Sequence, residues 1–244
     1  MSAENLPTPE GMCDGGDLDC GSGLLLIIRE AMQPIAGGAV LEVRSRESSV
    51  RIDLPAWCRL VGHNMLGDQP GEGGSTSYFI RKKGGEPDDA YAQDIQAAKD
   101  YRWTVRARSK EPMRARAYVR NHSFDVGQPA SFDTEDAAPS AIEYLLAALA
   151  GDLSVGMRWR ASRENIEVYE LEVSLTTTLD NVLVFLGLED QGHPGMAGVE
   201  GRLFIDADAD EATLERLWQE TLLRSPVAQT LAREIPITIE HRKH

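Results

Sequence analysis

Cys20 is the residue whose type and position are best suited to chemistry in this sequence. It lies between a short segment predicted to be extended and an apolar run, residues 24–32, predicted to be a helix. At a helix start, free backbone N–H groups and the positive end of the helix dipole stabilise a thiolate and lower the pKa of a cysteine from about 8.5. A thiolate can attack an electrophile or carry a second sulfur atom. The alternative is a cysteine that only happens to precede a helix.

Three small residues follow this thiol, namely Gly21, Ser22 and Gly23. The serine can cap the predicted helix, and the glycines let the backbone approach whatever group the thiol carries. We therefore predict that these three residues bind the group held by Cys20.

The chain has two other cysteines, Cys13 and Cys58. Cys58 lies in an apolar helix beside Trp57, where a free cysteine is commonly a small hydrophobic residue. The alternative is a second catalytic thiol that supports or resolves a reaction at Cys20. Cys13 lies in a glycine-rich stretch and is interpreted as incidental. Because three cysteines cannot all pair, we expect reduced thiols rather than a disulfide framework.

The composition limits the class of protein. With 244 residues and 42% hydrophobic content, the chain can form one large domain or two ordinary ones. Its first ten residues are polar and acidic, and no apolar run reaches the ~20 residues of a membrane span. We expect a cytoplasmic globular protein without a membrane partner. The net charge of −14 makes nucleic acid an unlikely ligand, because binding it requires cations that displace phosphate counterions.

One stretch departs from this acidity. Residues 102–120 contain six arginines and Lys110 against the single acid Glu111. The spacing of Arg106 with Arg108, and of Arg114 with Arg116, has the period of two that places each pair on one face of a strand. The stretch is either a solvated hairpin face or a surface for an acidic partner.

The histidines lie at positions 63, 122, 193, 241 and 244 and show no metal-ligand spacing. The cysteines form no Cys-x-x-Cys pair either, so we predict no metal and no other cofactor.

Hydrophobic periodicity and turn residues predict an α+β protein. The first part has the order βαβαββ, with helices at 24–32 and 53–62, the second capped by Asp53, and strands at 39–44, 63–66 and 76–81. The remainder is predicted to contain a helix at 90–99, strands at 101–109, 113–119 and 122–126, a buried apolar helix at 139–157, strands at 168–177 and 201–206, helices at 210–223 and after Ser225-Pro226, and a strand at 235–240.

The first part resembles the TusA/SirA-like sulfur carriers over residues 12–84. The resemblance lies in the cysteine before the first helix, in Asp53-Leu-Pro-Ala-Trp-Cys58 and in residues 78–84. It implies a two-layer βαβαββ sandwich in which Cys20 accepts sulfur as a persulfide, and it places the family's second common cysteine at Cys58. It also implies partners, namely a sulfur donor such as a cysteine desulfurase and an acceptor protein. The family usually has Cys-Pro-x-Pro, where this chain has Cys20-Gly-Ser-Gly23.

The remainder, from about residue 100 to the end, resembles the OsmC/Ohr family. The resemblance implies a long buried central helix and a homodimer. Glu143 matches the family's glutamate, but the two peroxidase cysteines fall at Asp152, or Leu153 if the spacing shifts by one, and at Ser225. A carboxylate and an alcohol cannot cycle through sulfenic acid and disulfide, so peroxide reduction by two thiols in this part is excluded.

Asp152 lies on the apolar helix, where a carboxylate needs a partner. The candidates are an arginine of residues 102–120, or Arg158 or Arg160 of the same helix. Alternatively, Asp152, Glu143 and Ser225 line a remodelled ligand-binding pocket.

We therefore predict a flexible tail at 1–11, a sulfur-carrier domain at 12–84, a linker with a short helix at 85–99 and an OsmC-like domain at 100–244. The favoured hypothesis is a sulfur carrier or sulfurtransferase that uses a Cys20 persulfide, with a redox-inactive second domain. A second hypothesis is a thiol-dependent peroxidase that uses Cys20 in place of the lost cysteines. A third is a non-catalytic protein that binds a small ligand.

Overall fold

The computed structural model describes residues 6–84, 90–128 and 138–241. The chain forms two compact units. The first unit comprises Met1–Arg102 together with Arg158–Glu167, and the second comprises Trp103–Met157 and Val168–His244. The predicted domain boundaries stay predictions. Part of the predicted tail, residues 1–5, and part of the predicted linker, residues 85–89, lie outside the described residues.

The first unit has the predicted order βαβαββ, followed by one more helix. Its elements are β1 (Gly11–Asp14), α1 (Leu24–Met32), β2 (Val40–Ser45), α2 (Val50–Val61), β3 (Asn64–Pro70), β4 (Thr76–Arg81) and α3 (Ala90–Asp100). The strands form one sheet in the order β1-β2-β4-β3. Strand β1 runs parallel to β2, and the other neighbours are antiparallel. The α+β prediction for this part is confirmed.

One apolar cluster joins both helices to the sheet. Leu24, Ile28 and Met32 follow each other at four-residue spacing, so they share one face of α1 and are buried. The cluster also contains Leu41 and Val43 of β2, Leu54, Trp57 and Cys58 of α2, and Tyr78 and Ile80 of β4. The first unit therefore has a complete two-layer core.

Helix α2 begins earlier than predicted. Asp53 was expected to be its N-cap, but the helix starts at Val50 with Ser49 at the N-cap, and Asp53 lies in the first turn. Val50 is fully buried, so the additional residues bring an apolar side chain into the core. Pro55 lies inside the helix and has no N–H to donate, as the residue type requires.

In its described residues, the second unit contains two separate sheets. Its elements are β5 (Arg106–Glu111), β6 (Arg114–Val119), β7 (His122–Val126), α4 (Ala141–Arg163), β8 (Val168–Leu179), α5 (Val182–Phe185), β9 (Met196–Ala207), α6 (Glu211–Arg224) and α7 (Pro226–Leu231), with the last six residues of α4 counted in the first unit. Strands β5, β6 and β7 form one antiparallel sheet, and β8 and β9 form a two-stranded hairpin.

Helix α4 is longer than predicted and is buried along one stripe. It continues past residue 157 to Arg163, where Ala161 and Ser162 are buried. Upstream, Leu149, Leu153 and Met157 form a buried stripe at four-residue spacing, whereas Val155 is 70% exposed. Within a single chain, the apolar helix thus presents much of its surface to solvent.

Strands β3 and β9 are longer than predicted, since β3 continues to Pro70 and β9 begins at Met196, and two other predicted strands begin late or are missing. The strand predicted at 101–109 starts only at Arg106, and the strand predicted at 235–240 has no regular secondary structure. Both segments carry the alternating apolar residues of a strand, but β-structure also requires hydrogen bonds to a neighbouring strand. Helix α5 was not predicted because its four residues are too few for a periodic signal. In the described parts of the chain, no helix combines the length and hydrophobicity needed to cross a membrane.

The core of the first unit gives a direct test within helix α2. Leu54 is fully buried and Leu60 is 83% exposed. We expect Leu54→Ala to lower the free energy of unfolding by about 2–5 kcal/mol, because it removes buried methyl groups and leaves a cavity. Leu60→Ala, with the same change in side chain on the same helix, should shift it by less than about 0.5 kcal/mol. Urea unfolding followed by circular dichroism measures both, and equal losses would contradict the assigned core.

Candidate functional site

Cys20 begins a short turn directly before helix α1. Cys20–Ser22 form a single 3₁₀ turn, and Gly23 links this turn to Leu24 at the start of α1. The carbonyl of Asp19 accepts hydrogen bonds from the N–H groups of Ser22 at 3.2 Å and Leu24 at 3.4 Å. The turn is thus held by its own backbone.

Ser22 does not cap the helix as predicted. The N-cap position belongs to Gly23, and no side chain caps this end. The reason is the 3₁₀ turn, which places Ser22 one residue too early. Gly23 has φ 112°, a left-handed conformation that glycine adopts without strain. Gly21 and Ser22 are exposed beside the thiol, where they remain predicted binding residues.

The Cys20 side chain is half-buried and packs against the apolar cluster of the first unit. Cys58 belongs to that cluster and is fully buried. Burial is the main cause that raises the pKa of Cys58, and a thiolate at Cys20 raises it further, so the two thiols lie within electrostatic range of each other. All three cysteines are free thiols. Cys20 is the most accessible of them.

The electrostatics of Cys20 are opposite to the prediction. Burial, then the carboxylates of Asp53 and Asp19, raise the pKa of Cys20 to about 11. Burial raises the pKa of Cys58 and of Cys13 to about 12. The predicted lowering fails for a structural reason: two of the N–H groups at this helix start are bonded to the Asp19 carbonyl, and two carboxylates lie near the sulfur. The thiol is therefore protonated at neutral pH.

Sequence reasoning missed the role of Asp19 and Asp53 at this site. The local sequence predicts only a helix cap at Asp53, and its electrostatic effect on a cysteine 33 residues away follows from the packing of α2 against the turn. Within the described structure, Asp19 Oδ1 is buried without a hydrogen-bond partner. An unsatisfied carboxylate oxygen keeps its charge unshielded, which disfavours a neighbouring thiolate.

The loop that leads to Cys20 is anchored by Ser162. Ser162 Oγ accepts a hydrogen bond from the N–H of Asp17 at 3.1 Å, and the Ser162 carbonyl accepts one from Arg46 at 3.1 Å. Gly16, with φ 56°, packs so closely that a Cβ there would collide with Ser162 Oγ. All of these residues belong to the first unit. Asp17 and Ser162 are 145 positions apart, so no local sequence pattern could have predicted this contact.

The structure joins Asp152 and Ser225 in the second unit. Asp152 Oδ2 accepts hydrogen bonds from Ser225 Oγ at 2.5 Å and from the N–H of Val227 at 3.3 Å. Ser225 Oγ also accepts the N–H of Ala228 and so caps helix α7. Asp152 therefore accepts hydrogen bonds from two neutral donors, whereas the sequence left open an arginine partner or a pocket shared with Glu143 and Ser225.

Glu143 lies apart from this pair. It forms a capping box with Ser140 at the start of α4: the Ser140 N–H donates to Glu143 Oε2 at 2.6 Å, and the Glu143 N–H donates to Ser140 Oγ at 3.2 Å. These bonds hold the pKa of Glu143 below its usual value. Nine residues along a helix separate it from Asp152 by about 13 Å. The three residues predicted to line one pocket thus form a hydrogen-bonded pair, Asp152 with Ser225, and a separate helix cap at Glu143.

The basic stretch lies mostly on exposed strand faces. Arg116 donates two hydrogen bonds to Asp125 on the neighbouring strand, at 2.7 and 2.9 Å. Arg106, Arg108 and Lys110 are exposed along β5. In the ranges that the structure describes, no three His, Cys, Asp or Glu side chains are grouped as a metal ion would need.

Comparison with known proteins identifies the first part. Over 76 residues, the chain is 32% identical to a "Sulfur carrier protein TusA" of Pseudomonas putida, a match that covers 31% of this chain and 92% of that protein. It is 37% identical over 70 residues to the protein of the same name from Pseudomonas entomophila, covering 29% of this chain and 85% of that one. The chain belongs to the TusA sulfur-carrier family.

The second part matches another family. Residues 134–240 match the family model "OsmC-like protein", so the chain is a TusA-like part fused to an OsmC-like part. A crystal structure of an OsmC like protein from Mycoplasma pneumoniae is 16% identical, with a TM-score of 0.47, and covers 55% of this chain and 89% of that one. An OsmC structure from Legionella pneumophila is 12% identical, with a TM-score of 0.41 and coverages of 54% and 90%.

The carboxylates near Cys20 in the TusA-like part give a test of its electrostatics. Asp53→Asn removes a negative charge, so we expect the pKa of Cys20 to fall from about 11. If the pKa falls by about half a unit, the fraction of Cys20 present as thiolate at pH 8 rises about threefold. The rate of alkylation at this pH rises by the same factor. The rate of iodoacetamide labelling of the Cys20 peptide, measured from pH 7 to 10 by mass spectrometry, checks this. Asp68→Asn is the control, because Asp68 pairs with Arg51 and is not among the charges that act on Cys20. An unchanged profile for Asp53→Asn would contradict the assignment.

The two glycines of the Cys20 turn should differ in their tolerance of alanine. Gly23→Ala forces a Cβ into a left-handed conformation and should destabilise the first unit by about 1 kcal/mol. Gly21→Ala requires no positive φ, and its Cβ would only touch Asp19 Oδ1 at 3.4 Å, so we expect wild-type stability. The melting temperatures of both variants, compared with that of the wild type, test this prediction. A lower melting temperature for Gly21→Ala together with an unchanged one for Gly23→Ala would refute the turn geometry.

Proposed function

We propose that this protein is a sulfur carrier in which Cys20 Sγ holds a transferable sulfur atom as a persulfide. The observation that carries the proposal is the position of Cys20, a half-exposed thiol on a rigid turn before α1, in a part of the chain related to TusA sulfur carriers over nearly their whole length. The exposed Gly21 and Ser22 leave space for an added sulfur on this side of the turn.

The proposed reaction is an exchange between sulfur atoms that needs no oxidant or reductant. Cys20 Sγ attacks the outer sulfur of a persulfide on the donor. The bond between the two donor sulfurs breaks, and its electron pair leaves with the donor thiolate. The proton lost by Cys20 ends on the donor thiol, so one thiol and one persulfide are consumed and one of each is formed. Attack by an acceptor thiolate on the outer sulfur of Cys20 reverses the step.

The raised pKa of Cys20 gives this carrier a specific requirement. At pH 7 the thiol is protonated, and a protonated thiol is a poor nucleophile. Loading therefore depends on a donor that removes the proton or neutralises Asp53 and Asp19 on docking. We propose a cysteine desulfurase as this donor and a thiol-bearing protein as the acceptor, and we propose that the carrier is a cytoplasmic homodimer through its OsmC-like part.

The same electrostatics disfavour the peroxidase hypothesis. Peroxide reduction needs a thiolate in the resting protein, and a pKa of about 11 leaves very little at neutral pH. The ligand-binding hypothesis loses its three-residue site, because Glu143 is held in a capping box away from Asp152 and Ser225. In the proposed carrier, the Asp152–Ser225 pair fastens α7 to α4.

The decisive experiment measures sulfur uptake by intact mass. The reduced protein is incubated with a cysteine desulfurase and cysteine at neutral pH, or with glutathione persulfide at alkaline pH, where part of Cys20 is a thiolate without a docked donor. We expect the wild type to gain one sulfur atom that dithiothreitol removes. Cys20→Ser should gain none, because the attacking atom is absent.

Cys58→Ala serves as the matched control, since it removes a thiol that is fully buried. It should load like the wild type if Cys58 is structural, and circular dichroism checks that it is folded. Loss of loading in Cys58→Ala alone would instead assign the carrier role to Cys58. Retained loading in Cys20→Ser, or a wild type that accepts sulfur from neither donor, would refute the proposal.

A further inference from the structure

The sheet of β5, β6 and β7 has two chemically different faces. On one face, Ala117 of β6 lies opposite Ala107 of β5 and Phe124 of β7. Ala117 is buried, and the Phe124 ring packs on Tyr144 of α4 with 4.8 Å between the ring centroids. Because side chains alternate along a strand, the residues between these point to the other face, away from α4. That second face carries most of the cations of residues 102–120.

The cations of two strands meet on this second face. Arg106 lies opposite Tyr118 with its guanidinium 5.3 Å from the ring centroid, and Arg108 lies directly opposite Arg116. Beside them is a hollow of about 280 Å³. Its charged lining consists of four cations and two carboxylates, namely Arg108, Lys110, Arg114, Arg116, Glu111 and Asp125. We call these six residues, together with Arg106 and Tyr118, the basic face.

Ion pairs within the basic face leave two of its cations without a counterion. The Arg116 guanidinium donates to both carboxylate oxygens of Asp125, at 2.7 and 2.9 Å. The other carboxylate of the hollow pairs with Arg114 at 3.5 Å. Arg108 and Lys110 are exposed, and neither forms a hydrogen bond or an ion pair with another residue that the structure describes. Both acids of the face are thus already paired.

The placement of Arg108 opposite Arg116 is unfavourable for the sheet by itself. Like charges that lie directly opposite each other on neighbouring strands repel, whereas opposite charges stabilise the pair. Asp125 compensates Arg116, but Arg108 has no acid of its own. Local choices that work against stability are expected at functional sites. A ligand that brings carboxylates to this face removes the repulsion.

We propose that the basic face is a docking surface for a short acidic segment of a partner protein, whose carboxylates pair with Arg108 and Lys110. The proposal rests on the second unit alone and does not depend on the chemistry of Cys20. Carboxylates suit the free guanidinium of Arg108, because its planar fork can donate two parallel hydrogen bonds to one carboxylate.

The exposure of the free cations favours a protein segment over a small anion. A single exposed ion pair contributes little to binding, because water competes for both charges. A segment with several carboxylates forms several pairs at once, and it also covers the Tyr118 ring and the aliphatic stems of the cations. Arginine and tyrosine are the residue types enriched in protein–protein interfaces.

The extent of the face argues against nucleic acid. Strand β5 spans about 13 Å from Arg106 to Lys110, which is long enough for a few carboxylates. A longer polyanion extends beyond the face, where the chain's net charge of −14 repels its phosphates. A short acidic segment avoids this repulsion.

Binding of an acidic peptide to the full chain tests the proposal. The probe is a short fluorescent peptide of alternating glutamate and serine, and its anisotropy gives the dissociation constant at low ionic strength. We expect the wild type to bind this peptide and to lose it in about 1 M salt, where the Debye length is about 3 Å. Arg108→Glu/Lys110→Glu should raise the dissociation constant about tenfold or more, because both attractions become repulsions. The same peptide with glutamine in place of glutamate should not bind.

The matched control is Arg59→Glu/Lys99→Glu. It changes the net charge by the same amount at two exposed positions of the first unit, so it should bind the peptide nearly like the wild type. Equal weakening in the two double variants would show that net charge alone governs binding and would overturn the inference. A wild type that does not bind the peptide, or that binds a single-stranded oligonucleotide or inorganic phosphate more tightly, would overturn it as well.

Lysine acetylation of the wild type tests the location without any substitution. The bound peptide should slow the reaction of Lys110 with acetic anhydride and leave that of Lys99 unchanged, as mass spectrometry of the two lysine peptides measures. An unprotected Lys110 in the presence of bound peptide would contradict the assigned surface.

Sulfur loading separates this proposal from the carrier function. Arg108→Glu/Lys110→Glu should load Cys20 from glutathione persulfide at alkaline pH like the wild type, because both substituted residues belong to the second unit. Peptide binding without any loading would refute the carrier alone. Loading without peptide binding would refute the docking surface alone.

Discussion

The burial of helix α1 on the first sheet is the interaction on which the candidate site depends. Leu24, Ile28 and Met32 anchor the helix along its length, and Leu24 is the first residue after the Gly23 link. Because the helix cannot slide or rotate without exposing these residues, the turn that carries Cys20 is fixed at its C-terminal side. On its N-terminal side, the hydrogen bond from Asp17 to Ser162 restrains the same loop. The thiol is therefore held in one place without being fully enclosed.

The same packing determines the chemical state of the thiol. Helix α2 joins the core through Leu54 and Trp57, and this brings its first turn, with Asp53, close enough to act on Cys20. A helix N-terminus by itself favours a thiolate, but it acts like a positive charge of only about half an elementary charge at the helix end. Partial burial together with two full negative charges outweighs it. The raised pKa of Cys20 therefore results from the tertiary structure and not from the Cys-Gly-Ser-Gly segment itself.

Local patterns in the sequence are sufficient to predict much of the secondary structure. Strand β4 and the start of helix α6 directly after Asp210 lie close to the predicted positions, because alternation and capping are local effects. The start of α2 could not be predicted, since Val50 becomes helical by joining a core assembled from distant residues. At the site, Cys20 stands out by its position in the chain, whereas the influence of Asp19 and Asp53 requires three-dimensional distances. The pairing of Asp152 with Ser225 also depends on tertiary structure, because 73 positions separate them.

The lack of cysteine in the OsmC-like part has a consequence for the lifetime of the sulfur that we propose Cys20 carries. Residues 59–244 contain no cysteine, so the OsmC-like part offers no thiol to which a persulfide could lose its outer sulfur. A carboxylate and a hydroxyl do not exchange with sulfur–sulfur bonds. Fusion to an active two-cysteine domain would give the cargo an internal route of discharge. In the carrier that we propose, the OsmC-like part therefore does not accept the sulfur, and release from Cys20 requires a thiol of the first unit or of another molecule.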